Sequence, residues 1–258
     1  MKSVQTKEYF GVLHENKGKL LLVVFGGSDG GMPKLGENLT QTIQSNFNVL
    51  YLPYFGIEPL QDKLEAIPIE YFQKSIRFYQ NKLNLQDKDT TLMGTSKGGE
   101  LVLLLASKYI HVSRVVACVP ASYVFQSIIT DISGLLFSRS SWTFKGKDIP
   151  FVKYRFNIEN IREVMRKNYR SLYENSIRLN QNREAEINLD SYAGKLLLIS
   201  TEDEKDNYWS SKEMCNNIER RGKAQGKDFR HILINIPHEK MYFDDQVCQK
   251  IGTFLAEK

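Results

Sequence analysis

The chain has 258 residues, of which 41% are hydrophobic and 25% charged, apolar enough for a large packed core and too apolar for a disordered chain. Its net charge of +5 is carried by Lys and Arg interspersed with Asp and Glu, with no basic tail or aromatic-basic interleaving, so nucleic acid is not an expected partner. Cys118, Cys215 and Cys248 are odd in number and widely spaced, which argues against a disulfide framework or a zinc site and for a reducing, cytoplasmic setting.

In chain order, the first apolar run, LLLVVF at 20–25, follows two lysines as the core of a signal peptide would. It is short, begins late and ends in GGSDGG rather than a small-residue cleavage pattern, so a buried strand is expected instead. No stretch approaches the ~18 apolar residues of a membrane span, and no membrane association is expected. A helix over 38–47, a strand over 48–54 and a helix over about 68–83 follow. TTLMG at 90–94 reads as a strand, 98–109 as a helix, 112–120 and 195–200 as further strands. A helix over 210–226, a strand over 231–237 and a helix over 244–258 complete the pattern. Such alternation of strand and helix implies a mainly parallel central sheet with helices on both faces. The rhythm breaks between about 123 and 190, a length too great for a simple connection, and a cap-like insertion is expected there. One α/β domain spanning 1–258 accounts for the whole pattern.

Gly94-Thr95-Ser96-Lys97-Gly98 is G-x-S-x-G between a strand and a helix, the context that gives this short pattern meaning. A serine on so sharp a turn adopts a sparsely populated backbone conformation, and the flanking glycines remove side chains that would collide with the strand and helix. Ser96 is therefore the candidate nucleophile. The helix that follows offers unpaired backbone N–H groups to developing negative charge. The loop FGGSDGG at 25–31, after the first strand, can bring the Ser28 N–H beside that of Lys97 as an oxyanion hole. Neither GxGxxG nor GxxxxGK[ST] occurs in that loop, which weighs against a nucleotide.

A serine hydroxyl needs a base. Of the four histidines, His14 precedes the expected core, His111 lies in a helix-to-strand turn and His231 begins a strand. His238 follows the last strand, where a loop could return it to Ser96. The acid should lie after the strand at 195–200, in TEDEKDNYW, which offers Glu202, Asp203, Glu204 and Asp206. The order serine, acid, histidine matches an α/β-hydrolase triad.

With these residues in place, the chain resembles the C-terminal catalytic domain of the acyl-CoA thioesterase and bile acid-CoA:amino acid N-acyltransferase family, a dienelactone-hydrolase-like branch of the α/β-hydrolases. The resemblance runs from about 19 to 255 through FGGSDGG, IPIEYFQKSIRFY, GTSKGGELVLLLAS, SSWTFKGKDIPFVKY, AEINLDSYAGKLLLIS and DNYWSSKEM. It implies an α/β-hydrolase fold, with the nucleophile on Ser96 and the histidine on His238. The family's acid commonly precedes a tryptophan by three positions, which selects Asp206 ahead of Trp209; counting from the strand end selects Asp203 as the alternative. The family often has glycine where Pro237 precedes the histidine here. Two-domain members carry an N-terminal β-sandwich that the first 17 residues or so cannot form, so a stand-alone catalytic domain is expected.

The resulting expectation is hydrolysis of an acyl thioester, acyl-CoA among them, through an acyl-serine intermediate, with no metal or organic cofactor required. The alternatives are an esterase using the same triad on oxygen esters, an acyl-CoA:amino acid N-acyltransferase, and a non-catalytic binding module. Family transferases tend to use cysteine as the nucleophile, which weighs towards hydrolysis. Arg139, Lys145, Lys147, Arg162 and Arg166 could attract a CoA phosphate, but Glu159 and Glu163 among them favour a solvated surface, and no CoA-binding role is assigned.

Overall fold

The computed structural model describes residues 2–4, 9–129 and 137–257. Its main sheet comprises β1 (Lys2–Val4), β2 (Gly11–His14), β3 (Leu21–Phe25), β4 (Asn48–Tyr51), β6 (Thr90–Thr95), β7 (Arg114–Cys118), β10 (Lys195–Thr201) and β11 (Phe229–Ile234). The spatial order is β1-β2-β4-β3-β6-β7-β10-β11. From β4 to β11 every pairing is parallel, while β1 and β2 are antiparallel additions at one edge. The main helices are α1 (Glu37–Asn46), α2 (Ile69–Leu83), α3 (Lys97–Lys108), α4 (Ile158–Met165), α5 (Arg170–Arg178), α6 (Ser211–Ala224) and α7 (Asp245–Ala256).

The alternation of strand side chains divides the core into two layers. Leu21, Val23 and Phe25 of β3 face one way with Val115 and Ala117 of β7 and Leu196 and Leu198 of β10, packing against α2, α3 and α6. Leu22, Val24, Val116, Cys118, Leu197 and Ile199 face the other way, against α1 and α7. Both faces being covered explains why these strands read as unbroken apolar runs. The chain between β7 and β10 adds β8 (Trp142–Phe144), β9 (Lys147–Asp148), α4 and α5. There, β8 pairs with β5 (Ile67–Pro68) and with β9 to make a second, three-stranded sheet. A third cluster, including Phe125, Tyr173 and Trp209, joins this region to the end of the main sheet.

Several elements differ from the sequence expectation. His14 does not precede the core but lies on β2, paired with Val49 of β4; GVLH alternates between buried and half-buried positions and lacks the continuous run that marks a central strand. The expected strand at 48–54 ends at Tyr51, just before Pro53, which cannot donate to a ladder. β11 starts at Phe229, so His231 sits inside it. There Nδ1 donates to Asn216 Oδ1 at 2.8 Å and Nε2 meets Ser200 Oγ at 2.6 Å.

Burial holds the His231 pKa below its ordinary value; Lys212 and Lys223 act in the same direction and Glu219 opposes them. A histidine with a depressed folded pKa stabilises the fold above its unfolded pKa of about 6.5 and loses that contribution as pH falls through the folded value. The denaturation midpoint should therefore drop on acidification from pH 7 to pH 5, and less steeply in His231→Gln. Equal slopes in urea melts of the two proteins would refute this account.

Candidate active site

Ser96 lies between the end of β6 and the start of α3 with φ 54° and ψ −119°, a conformation that L-residues adopt only when the surroundings impose it. Its N–H donates to Cys118 O at 2.9 Å, tying the turn to β7. The flanking glycines are required by space. A Cβ on Gly94 would fall 2.0 Å from Gly98 O, and one on Gly98 would fall 2.2 Å from Gly26 O. β6, the first turn of α3 and the loop after β3 thus touch backbone to backbone.

His238 comes to the same point from the other side of the sheet end. It opens a 3-10 segment, His238–Phe243, directly after Pro237, and is 3% exposed. The strand-to-turn connection is fastened by Thr201 Oγ1, which donates to Ile236 O. His238 Nε2 stands 2.9 Å from Ser96 Oγ, and Nδ1 stands 2.8 Å from Asp206 Oδ1. The imidazole packs against the Tyr208 ring at a centroid distance of 4.6 Å and edge to face with Trp209 at 5.3 Å.

Of the two candidate acids, only Asp206 meets His238. A 3-10 turn, Asp203–Lys205, separates them and sends them in different directions. Asp206 is buried; its Oδ2 accepts from Ser211 Oγ at 2.6 Å and its Oδ1 from the Tyr208 N–H at 3.2 Å. Burial alone would raise its pKa, but His238, Ser211 and the Tyr208 N–H together hold the carboxyl below its ordinary value. Asp203 instead accepts from Ser210 Oγ and pairs with Arg170 at 2.9 Å, anchoring α5 to the loop. Trp209 fixes the same loop to the chain just after β7, its Nε1–H shared between Val119 O and Pro120 O. Val119 itself has φ 41°, a further strained residue beside the site.

The glycine-rich loop of 25–31 closes over Ser96. The Tyr54 hydroxyl donates to Gly26 O and Gly27 O, both at 2.9 Å, and a Cβ on Gly27 would lie 3.3 Å from Ser96 Cβ. Ser28 and Lys97, the expected oxyanion donors, line one cavity together with Ser96. At the start of α3 the Lys97 N–H has no helical acceptor.

The Lys97 side chain has a place that its sequence position did not announce. It is buried, and its Nζ lies 2.8 and 2.7 Å from the two carboxylate oxygens of Glu100. Trp142 Nε1 of β8 donates to Glu100 Oε1 at 2.8 Å, and Lys97 Nζ sits 5.6 Å from the Trp142 ring centroid. Burial lowers the lysine pKa and raises that of the glutamate, and each charge opposes the shift in the other. Sequence reasoning also missed Ser211, Tyr169 and Tyr173 near the site. The only signal for the ion pair was two charges opening a helix that is otherwise apolar to Ala106.

The remaining sequence candidates do not converge here. Arg139 is held by both oxygens of Asp148, Arg166 pairs with Glu163, and Lys145 Nζ covers the Phe144 ring. His14 and His231 lie in the sheet, away from Ser96. Among the described residues no group of three or more His, Cys, Asp or Glu could hold a metal ion, and no helix is long and apolar enough to cross a membrane.

A mostly parallel sheet, a serine on a strained strand-to-helix turn and a histidine after the last strand define the class, an α/β-hydrolase fold. An esterase from Pyrococcus furiosus shares it with a TM-score of 0.59 and 14% identity, over 93% of this chain and 83% of that one. The enol-lactonase from Burkholderia xenovorans LB400 does so with a TM-score of 0.55 and 13% identity, over 96% of each chain. Residues 67–239 match the model of the BAAT / acyl-CoA thioester hydrolase C-terminal family, and the chain belongs to that family. Human acyl-coenzyme A thioesterase 1 is 24% identical over 209 residues, covering 80% of this chain and 45% of the relative. Mouse acyl-coenzyme A amino acid N-acyltransferase 1 is 30% identical over 93 residues, 36% of this chain and 21% of its own length. The chain thus spans less than half the length of these curated relatives.

Proposed function

We propose that the protein is a serine hydrolase that cleaves acyl thioesters, acyl-CoA among them, through an acyl-enzyme on Ser96. The observation that carries this reading is the continuous hydrogen-bond chain Ser96 Oγ, His238 Nε2, His238 Nδ1, Asp206 Oδ1, at 2.9 and 2.8 Å. His238 takes the serine proton as Oγ attacks the thioester carbonyl, and Asp206 holds the ring in the tautomer that leaves Nε2 free to accept it. The N–H groups of Ser28 and Lys97 receive the oxyanion. Collapse of the tetrahedral adduct breaks the C–S bond, and His238 returns the proton to the departing sulfur. His238 then deprotonates a water that attacks the acyl-serine, releasing the carboxylic acid and restoring the Ser96 hydroxyl.

Of the stretch from about 123 to 190, residues 123–129 and 137–190 act as the cap over this site, 130–136 lying outside the described residues, and one hydrolase domain carries both. Cys118, Cys215 and Cys248 are buried thiols, which suits a reducing compartment such as the cytoplasm.

A fluorophosphonate probe should label the folded protein on Ser96 alone, and Ser96→Ala should retain less than about a hundredth of acyl-CoA hydrolysis. Unlabelled, folded protein would instead favour a binding module. Parallel assays of acyl-CoA and short oxygen esters distinguish a thioesterase from an esterase. Amide product formed with glycine or taurine present would indicate acyl transfer.

A further inference from the structure

Two hollows meet at Ser96, and their linings differ in chemistry. One, of about 110 Å³, is bounded by the glycine-rich loop with Asp29, Lys34 and Glu239. The other, of about 270 Å³, is lined by the aromatic side chains of Tyr154, Phe156, Tyr169, Tyr173, Tyr208 and Trp209 and by four aliphatic ones, Val164 and Leu172 among them. Tyr208 borders both, stacked on Tyr169 at 5.5 Å with an interplanar angle of 6°.

Within the aromatic hollow the rings brace one another. Tyr173 meets Trp209 edge to face at 5.1 Å, and Tyr154 meets Tyr173 at 5.4 Å and 83°. The two phenols are 3.1 Å apart, and Tyr154 also donates to Gln126 O at 3.3 Å. With those hydroxyls engaged in the protein, the lining offers ring faces and edges to an occupant more than free polar groups. A planar ring that meets such a lining edge to face or offset-stacked gains roughly two- to tenfold in affinity beyond its buried area.

Volume limits the occupant as well. A cavity of about 150 Å³ accommodates benzene, and a water molecule, close to a methylene in size, takes roughly 30 Å³ of liquid volume. The observed 270 Å³ therefore holds one aromatic ring with a linker of a few carbons. A sixteen-carbon chain needs on the order of 450 Å³ on the same scale, so part of it would lie outside the hollow.

Resting on the hydrolase reading above, we propose that the acyl group this site selects is aryl-alkanoyl, of the benzoyl to phenylpropionyl size, rather than a long fatty chain. The aromatic hollow takes the ring and the polar hollow lies on the side of the departing thiol. Phe156, at the outer rim and 40% exposed, and Tyr173, within the wall, set the preference.

The test compares kcat/KM of the full chain on phenylacetyl-CoA, hexanoyl-CoA and palmitoyl-CoA. Phenylacetyl-CoA should lead hexanoyl-CoA by about tenfold, with palmitoyl-CoA last. Phe156→Leu, whose side chain reaches solvent, should reduce the phenylacetyl-to-hexanoyl ratio severalfold, as should Tyr173→Leu. Calorimetric titration of Ser96→Ala with phenylacetate and with hexanoate separates the pocket from the chemistry. Tighter phenylacetate binding without turnover of any thioester would remove the hydrolase reading and leave the pocket assignment standing. Hexanoyl-CoA or palmitoyl-CoA matching phenylacetyl-CoA, or equal binding of the two acids, would overturn the assignment.

Discussion

Replacing Asp206 with asparagine should lower hydrolytic turnover by about 10⁴, the loss expected when the orienting carboxylate of a Ser-His-Asp triad becomes an amide. The shape of the side chain survives, but the donor pattern around it does not. Ser211 Oγ and the Tyr208 N–H both present hydrogens to Asp206, and His238 Nδ1–H needs an acceptor as well. An amide has one acceptor oxygen for these partners, and an NH2 turned towards His238 would force the proton onto Nε2, the nitrogen that receives it from Ser96 in the proposed mechanism. Asp203→Asn provides the control. Its carboxylate faces Arg170 and is 44% exposed, so its loss should change turnover by no more than about threefold and stability by about 0–1 kcal/mol. Steady-state kinetics on the two variants decides between the acids, and the reverse result would move the triad's third member to Asp203.

Lys97→Met should destabilise the fold by about 3–5 kcal/mol, since it strands a fully buried Glu100 carboxylate. The partner geometry makes this large for a charge pair three residues apart on one helix. Exposed pairs of that spacing contribute about 0.2–0.5 kcal/mol, but here both charges have left water, and Glu100 also accepts from Trp142 of the second sheet and from the Phe125 backbone. Removing both charges as Lys97→Met with Glu100→Leu should restore part of the stability, because apolar replacement of a whole buried pair is often neutral or better. The buried Trp142 Nε1–H, left without its acceptor, should still cost about 1–3 kcal/mol. Urea denaturation of the two variants tests this, and a double variant as unstable as Lys97→Met would show that the pair, rather than the stranded charge, carries the energy.

Much of the main sheet was readable because its central strands are covered on both faces and their apolar runs are continuous. The edge was not: β2 alternates, and β1 is three residues long. The small β5-β8-β9 sheet escaped notice because its strands are two or three residues long and are joined by contacts between Ile67 and Trp142, distant in sequence. At the site, a serine between glycines and a late histidine are local patterns, so their positions could be read directly. The acid was ambiguous because TEDEKDN offers four carboxylates in an otherwise polar run, and a single 3-10 turn determines which carboxylate faces inward. The Lys97–Glu100 pair drew no reading from the sequence; its burial depends on Trp142, which local periodicity cannot foresee.

The chain has two tryptophans, and the fold stations them at the two places that matter here: Trp142 on the ion pair in the first turn of α3, Trp209 on the histidine and its acid. Both indoles are 1% exposed or less, so emission should be blue-shifted in the native protein and move to longer wavelength on unfolding. Trp142→Phe would leave a signal from the active site alone, and Trp209→Phe a signal from the buried charges alone. The protein thus carries its own pair of optical reporters, one for chemistry and one for structural integrity, without any dye or added label.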